Sequence, residues 1–290
     1  MPSIAVLGGF GFLGKPISQY FEVAGWKVEQ LSRIRVGSKR DLVSYADIFD
    51  ETSLKEMLLK LQPQVVLTTA WDTEHGKFWT SNLNEVYRDA TLRFAELCFE
   101  SNVETFIGVG TMSEYGLSPG ICDAAITPLI PTDIYSEMKI ETGLRLKELG
   151  ERYGKKTHWA RIFQAFGPNE KPERFVPGLI SNLRKNNNFS IRTPNFEMDW
   201  IHTSDVASAV LYAVENSLNH FVDIGTGVGT SVKELSKLIC YELNLDDSLL
   251  DFSEQIPGHE KRAVVSQSSQ LLAHGWRPDE SLRDRIKSLS

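Results

Sequence analysis

The sequence predicts an α/β fold built on a doubly wound parallel sheet (a Rossmann arrangement), and three observations carry that expectation. Short β-branched runs alternate with longer helical patterns through the first half of the chain, a glycine-rich turn joins the first run to the first helix, and no internal repeat or low-complexity tract interrupts the series. At 290 residues the chain can hold one large or two modest domains around a real core.

Residues 3–7 read as a buried strand. A helix follows over 12–24, with Ile17, Phe21 and Ala24 on one face and Gly25 as its stop. Pro16 is tolerated there because the first helical turn has no internal partner for its missing N–H. The alternation then predicts strands at 27–31 and 42–46, a helix at 52–61, a strand at 65–69, a helix at 85–101 and a strand at 105–109. A helix over 132–153 and a strand over 157–162 complete a dinucleotide-binding portion spanning 1–167. Beyond Gly167-Pro168 the spacing becomes irregular, with a polar turn at Lys185-Asn186-Asn187-Asn188 and punctuation at Pro257-Gly258. Residues 168–290 are therefore expected to form mainly a smaller substrate-binding portion, with 199–226 returning a strand, Phe221-Val222-Asp223-Ile224, to the main sheet.

A formal charge of −7 argues against nucleic acid or an acidic membrane as the main partner, since either favours a cationic surface. An anionic small ligand must be met by a local pocket. Cys98, Cys122 and Cys240 are odd in number and lack histidines at ligand spacing, so neither a disulfide framework nor a zinc site is expected; buried free thiols in a reducing compartment are. The N-terminus runs into glycines with no basic region before it, and no stretch is long enough to span a bilayer, so the expected location is the cytoplasm.

Gly8-Gly9-Phe10-Gly11-Phe12-Leu13-Gly14 lies between a strand and a helix. Its backbone can approach a pyrophosphate closely and present a helix N-terminus to the charge, which points to dinucleotide binding. The turn contains both G-x-G-x-x-G, from Gly9, and G-x-x-G-x-x-G, from Gly8. An acidic residue closing the second strand would accept hydrogen bonds from the adenosine ribose and repel a 2′-phosphate. Ser32 stands there, followed by Arg33 and Arg35, so the expected cofactor is NADP(H) in preference to NAD(H). The opposing reading makes these arginines solvated loop residues.

Tyr135 and Lys139 stand four residues apart, hence on one helix face. A phenol is a poor acid-base catalyst at neutral pH, and a cationic neighbour that stabilises its phenolate brings the proton into useful range.

Further landmarks accompany them: Asp47-Ile48 after the third strand, Pro63 to Ala70, Gly110-Thr111-Met112-Ser113-Glu114-Tyr115-Gly116, Arg161 with Phe166-Gly167-Pro168, Asp199-Trp200-Ile201-His202 before Asp205-Val206-Ala207, and Gly275-Trp276-Arg277-Pro278. With the glycine turn and the Tyr135/Lys139 pair, they resemble the extended short-chain dehydrogenase/reductases, particularly the nucleotide-sugar epimerase, dehydratase and reductase group, over nearly the whole length. The resemblance implies that Tyr135 is the general acid/base, that Lys139 binds the nicotinamide ribose and tunes the tyrosine, and that Thr111 hydrogen-bonds the reacting oxygen. It implies cofactor contacts at Gly8, Gly11, Phe12, Leu13 and Gly14 in the turn, and at Ser32, Arg33, Asp47 and Ile48 around the adenosine. It extends them to Thr69, Ala70 and Trp71 after the fourth strand, and to Gln164. Thr111 has a plain alternative as a strand-end cap, and Asp47 as a turn cap.

Dehydratases of this family follow the equivalent of Thr111 with Asp-Glu, where this chain has Met112-Ser113; a thioether moves no proton and a hydroxyl is a weak acid. Glu114 keeps dehydration open through a shifted register. The expected reaction is reduction of a keto group, at C4 of a nucleotide-linked deoxysugar; 4-epimerisation is the alternative, and a non-catalytic NADP sensor the alternative of another class. The family's arginine before Asp199 is here Met198, leaving Arg174, Arg192 or Arg262 to meet a diphosphate, with Ser113 and Trp79 toward the substrate. Trp71, His75, Lys77 and Trp79 either line the pocket or pack a long loop. Residues 85–101 carry more apolar surface than one sheet-facing stripe needs. With the family's habit of pairing this helix and that of Tyr135 across a four-helix interface, a homodimer is expected.

Overall fold

Continuous apolar runs make strands that are buried on both faces, and such strands are stable only where helices cover both sides of a sheet. The computed structural model describes residues 1–33, 44–117, 119–253, 256, 262–267 and 269–289. Arg35, positions 42–43 of the expected third strand, and Pro257-Gly258 lie outside the described residues. The first half of the chain forms β1 (Ser3–Leu7), α1 (Gly14–Val23), β2 (Lys27–Ser32), β3 (Ser44–Tyr45), α2 (Glu51–Leu61), β4 (Val65–Thr68), α3 (Leu83–Glu100), β5 (Thr105–Thr111), β6 (Gly120–Cys122), α4 (Ile134–Tyr153) and β7 (Lys156–Ile162). The second half adds β8 (Gln164–Phe166), α5 (Phe175–Arg184), β9 (Phe189–Ser190), β10 (Glu197–His202), α6 (Thr203–Glu215), β11 (Phe221–Ile224), β12 (Gly229–Ser231), α7 (Val232–Leu243), β13 (Leu250–Asp251), β14 (Ala263–Ser266), α8 (Ser269–Ala273) and α9 (Leu282–Lys287).

The main sheet has seven strands in the order β11-β7-β5-β4-β1-β2-β3, every adjacent pair parallel. β1 pairs with β2 on one side and β4 on the other, so the winding reverses there and a crevice opens beyond the carboxyl ends of these strands. β5 runs on to Thr111 because its parallel partner continues beside it, Thr111 opposite Ile162. β11 joins the sheet against β7, from Phe221 opposite Trp159 to Ile224 opposite Ile162. Of residues 199–226, α6 and β11 pack with the main sheet, whereas β10 belongs to a second sheet with β12, β14, β6 and β8.

Helices α1 and α6 cover one face of the main sheet, with Ile17, Phe21, Val206 and Val210 in its core. Helices α2, α3 and α4 cover the other, contributing Leu54, Met57, Phe94, Leu97 and Leu146. A further core gathers α5, α7, α9 and β10 around Leu179, Trp200, Leu235 and Ile239. The apolar surplus on α3 is consumed largely within the chain: Leu92, Phe94, Ala95, Leu97, Cys98 and Phe99 are all buried, and Leu83 and Val86 remain about half exposed. Cys98, Cys122 and Cys240 are buried free thiols. Among the described residues no helix is long and apolar enough to cross a membrane.

Candidate active site

The glycine turn is set by close approach. Gly8 has φ +83°, and a Cβ there would lie 2.4 Å from Thr69 Oγ1. A Cβ on Gly14 would lie 2.1 Å from the Gly8 carbonyl oxygen, so the first residue of α1 sits directly under the turn. Gly8 and Gly11 line a cavity of about 660 Å³, while Gly9 packs away from it against Gln30. The glycines that face the crevice are thus Gly8 and Gly11, with Gly14 packed beneath the turn. Gly14 itself is behind the wall; Phe12 and Leu13, just before α1, are in it.

The same cavity runs past Ser32, Arg33, Asp47 and Ile48 at one end, then Thr69, Ala70 and Trp71, to Thr111, Ser113, Tyr135, Lys139 and Gln164 at the other. Two groups at the first end have internal partners as well. The Arg33 guanidinium hydrogen-bonds the Tyr87 phenol and opposes the rise in its pKa that burial causes. The Asp47 carboxylate accepts the Phe49 N–H at 3.0 Å, and its own N–H donates to Ser53 Oγ at 3.1 Å, so this residue both caps a turn and faces the cavity. A glycine cradle that admits no side chain, leading to the N-terminus of α1 and an elongated crevice, fits a dinucleotide.

Tyr135 is fixed by the start of α4. The Asp133 carboxylate accepts the Ser136 N–H at 2.8 Å and the Ser136 hydroxyl answers to the Asp133 backbone, a capping box that sets where the helix begins. The phenol ring is 8% exposed and meets Phe78, Trp79 and Trp71 edge-on, at centroid distances of 4.8, 5.4 and 6.4 Å. Burial raises its pKa, while a hydrogen bond shared with Thr111 and the nearby Arg174 cation pull the other way.

Lys139 has nearer partners than the Tyr135 phenol. Its ammonium donates to the Val109 carbonyl at 2.8 Å and lies 3.7 Å from the Trp71 ring centre, against 5.8 Å from that of Tyr135. Burial depresses the ammonium to about 7, with Glu114 opposing. Helical spacing brings the two residues to one face, yet the long lysine stem ends at β5 rather than at the phenol.

Thr111 caps the short turn Met112–Tyr115, accepting the Ser113 N–H at 3.2 Å, and faces the cavity at the same time. Glu114 turns inward. It is fully buried, taking the Arg161 Nε–H at 2.6 Å on one oxygen and the Trp159 Nε1–H and Thr111 N–H, each at 3.0 Å, on the other. In this arrangement Glu114 does not face the cavity.

Of the residues expected toward the substrate, Ser113, Trp79 and Arg174 line the cavity and Arg262 does not. Arg262 leads into β14, where its carbonyl accepts the Glu197 N–H at 2.9 Å beside β10. Arg192 also lies outside the wall. In the loop after β4, Trp71 and Trp79 line the cavity, whereas His75 and Lys77 are exposed, Lys77 pairing with Glu74 at 2.6 Å. Sequence reasoning passed over Phe78, Tyr87, Glu170 and Lys171, all in the wall. The available signal was Glu170 four residues before Arg174, just past Gly167-Pro168. Glu170 keeps one buried carboxyl oxygen without a partner, and burial pushes it up to about 7 against the Arg174 cation and the Gly167 N–H.

Residues 4–225 match the model of the NAD dependent epimerase/dehydratase family. The chain is 22% identical to the low-salt glycan biosynthesis protein Agl12 of Haloferax volcanii, across 98% of this chain and 96% of that one. It is also 22% identical to the dTDP-6-deoxy-L-talose 4-dehydrogenase (NAD(P)(+)) of Kitasatospora kifunensis, across 99% and 94%. The structure of UDP-glucose 4-epimerase from Thermotoga maritima with UDP-glucose matches with a TM-score of 0.84 at 22% identity, covering 98% of this chain and 96% of that one, a likeness of fold.

The Glu170 carboxyl gives a pH-dependent stability in the ligand-free protein. Because its folded pKa of about 7 exceeds the ordinary 4.5, the folded state holds a proton that the unfolded chain releases, and this contribution is lost as pH rises between those values. Glu170→Gln, which cannot ionise, should gain about 1–3 kcal/mol over the parent between about pH 5 and pH 8. Urea unfolding at the two pH values checks this; an offset that stays constant means that the carboxyl titrates normally.

Proposed function

The chain belongs to the NAD dependent epimerase/dehydratase family, and from that membership we propose that it reduces a keto group, at C4 of a nucleotide-linked deoxysugar, at the expense of NADPH. The observation that carries this reading is a single cavity joining the Gly8/Gly11 cradle to the hydrogen-bonded Tyr135 and Thr111. A bound dinucleotide supplies the hydride. Tyr135 Oη donates the proton to the carbonyl oxygen as Thr111 steadies the negative charge growing there. A buried phenol with a raised pKa is held in its protonated, donating form at neutral pH, which suits reduction. Phe78, Trp79 and Trp71 exclude water around the transfer, and Arg174 offers a cation to the substrate's diphosphate in place of the arginine that Met198 replaces.

Epimerisation at C4 is the second reading, favoured by the fact that one phenol serves both directions of proton transfer when the cofactor stays bound. The two differ in cofactor consumption. With a 4-keto-deoxysugar nucleotide, a reductase oxidises NADPH stoichiometrically, followed at its absorbance band; an epimerase shows no net loss. Tyr135→Phe should lower kcat by at least about 100-fold and leave cofactor affinity nearly unchanged. Retained turnover rejects the role given to Tyr135.

The preference for NADP(H) rests on Ser32 and Arg33 in the cavity wall, where a carboxylate would repel a 2′-phosphate and a guanidinium attracts it. Titration should show NADP bound more tightly than NAD, and Arg33→Ala should narrow that gap; comparable affinity in the parent protein rejects the preference. The buried free thiols suit a reducing compartment, and we assign the enzyme to the cytoplasm. We also infer a homodimer through α3 and α4, for which Leu83, Val86 and Leu144, all about half exposed, supply apolar contact. Light scattering at micromolar concentration should give twice the 32.7 kDa chain mass, and the single mass refutes pairing.

A further inference from the structure

We propose that Trp71 is a positioning residue for Lys139: its indole face, pinned by Asn84, lies against the ammonium, keeps it cationic inside the protein and holds it at the end of β5. The Nζ-to-ring distance of 3.7 Å is well inside the range of about 6 Å over which a cation is drawn to an aromatic face. Among the described residues no other ring is as near, Trp159 standing at 5.6 Å and Tyr135 at 5.8 Å.

The need for such a partner follows from what surrounds Lys139. The side chain is 4% exposed, and its ammonium donates to a neutral acceptor, the Val109 carbonyl. Among the described residues the anion acting on it is Glu114, whose oxygens are already engaged by Arg161, Trp159 and the Thr111 N–H. Tyr135, one turn earlier on α4 with its ring centre 5.8 Å away, is neutral at ordinary pH because burial raises its pKa. An apolar wall would only strip water from the ammonium, whereas the negative face of an indole returns part of that lost solvation.

The indole is also held in place. Its Nε1–H donates to Asn84 Oδ1 at 2.7 Å, and the Asn84 amide donates to the carbonyls of Phe78 and Ser81 at 2.7 and 2.8 Å. Asn84 is 2% exposed, and Tyr87 stacks on the indole at 5.7 Å with 26° between planes. A ring fixed by a hydrogen bond and a stack, and lying over a buried cation, is more than loop packing. The consequence for turnover rests on the reductase reading, in which Lys139 must be charged to hold the nicotinamide ribose beside Tyr135.

The test reads Lys139 directly in the cofactor-free protein. With ¹³C-labelled lysine, the Cε resonance of Lys139, assigned by its absence in Lys139→Met, is followed by NMR across pH. Trp71→Leu keeps water out but offers no aromatic face, and its Lys139 midpoint should fall by about one pH unit. Trp71→Phe should recover much of that shift; if Trp71→Leu does not fold, Trp71→Met carries the same expectation. The alkaline limb of kcat should move down in step. A midpoint unchanged or raised in the apolar variants overturns the proposal, whatever the reaction proves to be. If NADPH is never consumed but the midpoint falls, the reductase reading fails and the role of Trp71 at Lys139 stands.

Discussion

Glu114 and Arg161 meet at 2.6 Å with the carboxylate wholly buried and the guanidinium side chain 2% exposed, and the carboxyl ends of β5, β7 and β11 are organised around that contact. Two charges removed from water to this degree are tolerable only when their remaining hydrogen-bonding sites are met. Trp159 and the Thr111 N–H complete Glu114, while Arg161 reaches the Tyr115 hydroxyl at 3.3 Å, which itself donates to Asp223 on β11 at 2.8 Å. The cleft side of the same turn inherits this rigidity. Thr111 points toward Tyr135 because its backbone is tied, from behind, to a carboxylate that has no freedom to move.

Burial acts on the two titratable members of the site in opposite senses. It raises the Tyr135 phenol and lowers the Lys139 ammonium, driving both toward their neutral forms. The polar groups that resist it are few: Thr111 and Arg174 for the phenol, Glu114 for the ammonium. An acid held protonated is suited to giving a proton to an oxygen that is gaining charge, so the dryness of the site and the direction of the proposed transfer are two aspects of one property.

The sheet was largely legible in the sequence because long buried runs and amphipathic helices leave periodic traces; β1, β2, β4, β5 and β7 all fall where alternation puts them. Strands β6, β8, β12 and β14 have three or four residues' worth of signal at best, too short for a period, and their sheet is assembled by neighbours distant in sequence, such as β14 beside both β10 and β6. The site divides similarly. Motif positions in the turn and at Tyr135 carry their geometry with them, since glycines and helix starts are local facts. The inward turn of Glu114 and the reach of Lys139 toward Trp71 depend on partners about 30 to 70 positions away along the chain, for which spacing gives no sign.

The crowding of the first turn divides the dinucleotide crevice into a part that evolution can hardly touch and a part it can. Any side chain at Gly8 or Gly14 would collide with Thr69 or with the main chain of the turn itself. Ser32 and Arg33, at the rim, meet no such barrier, the arginine being exposed. On the role proposed for Ser32 and Arg33, exchanging one adenosine cofactor for the other would need only two adjacent codons rewritten at the rim, with the phosphate cradle carried along unaltered.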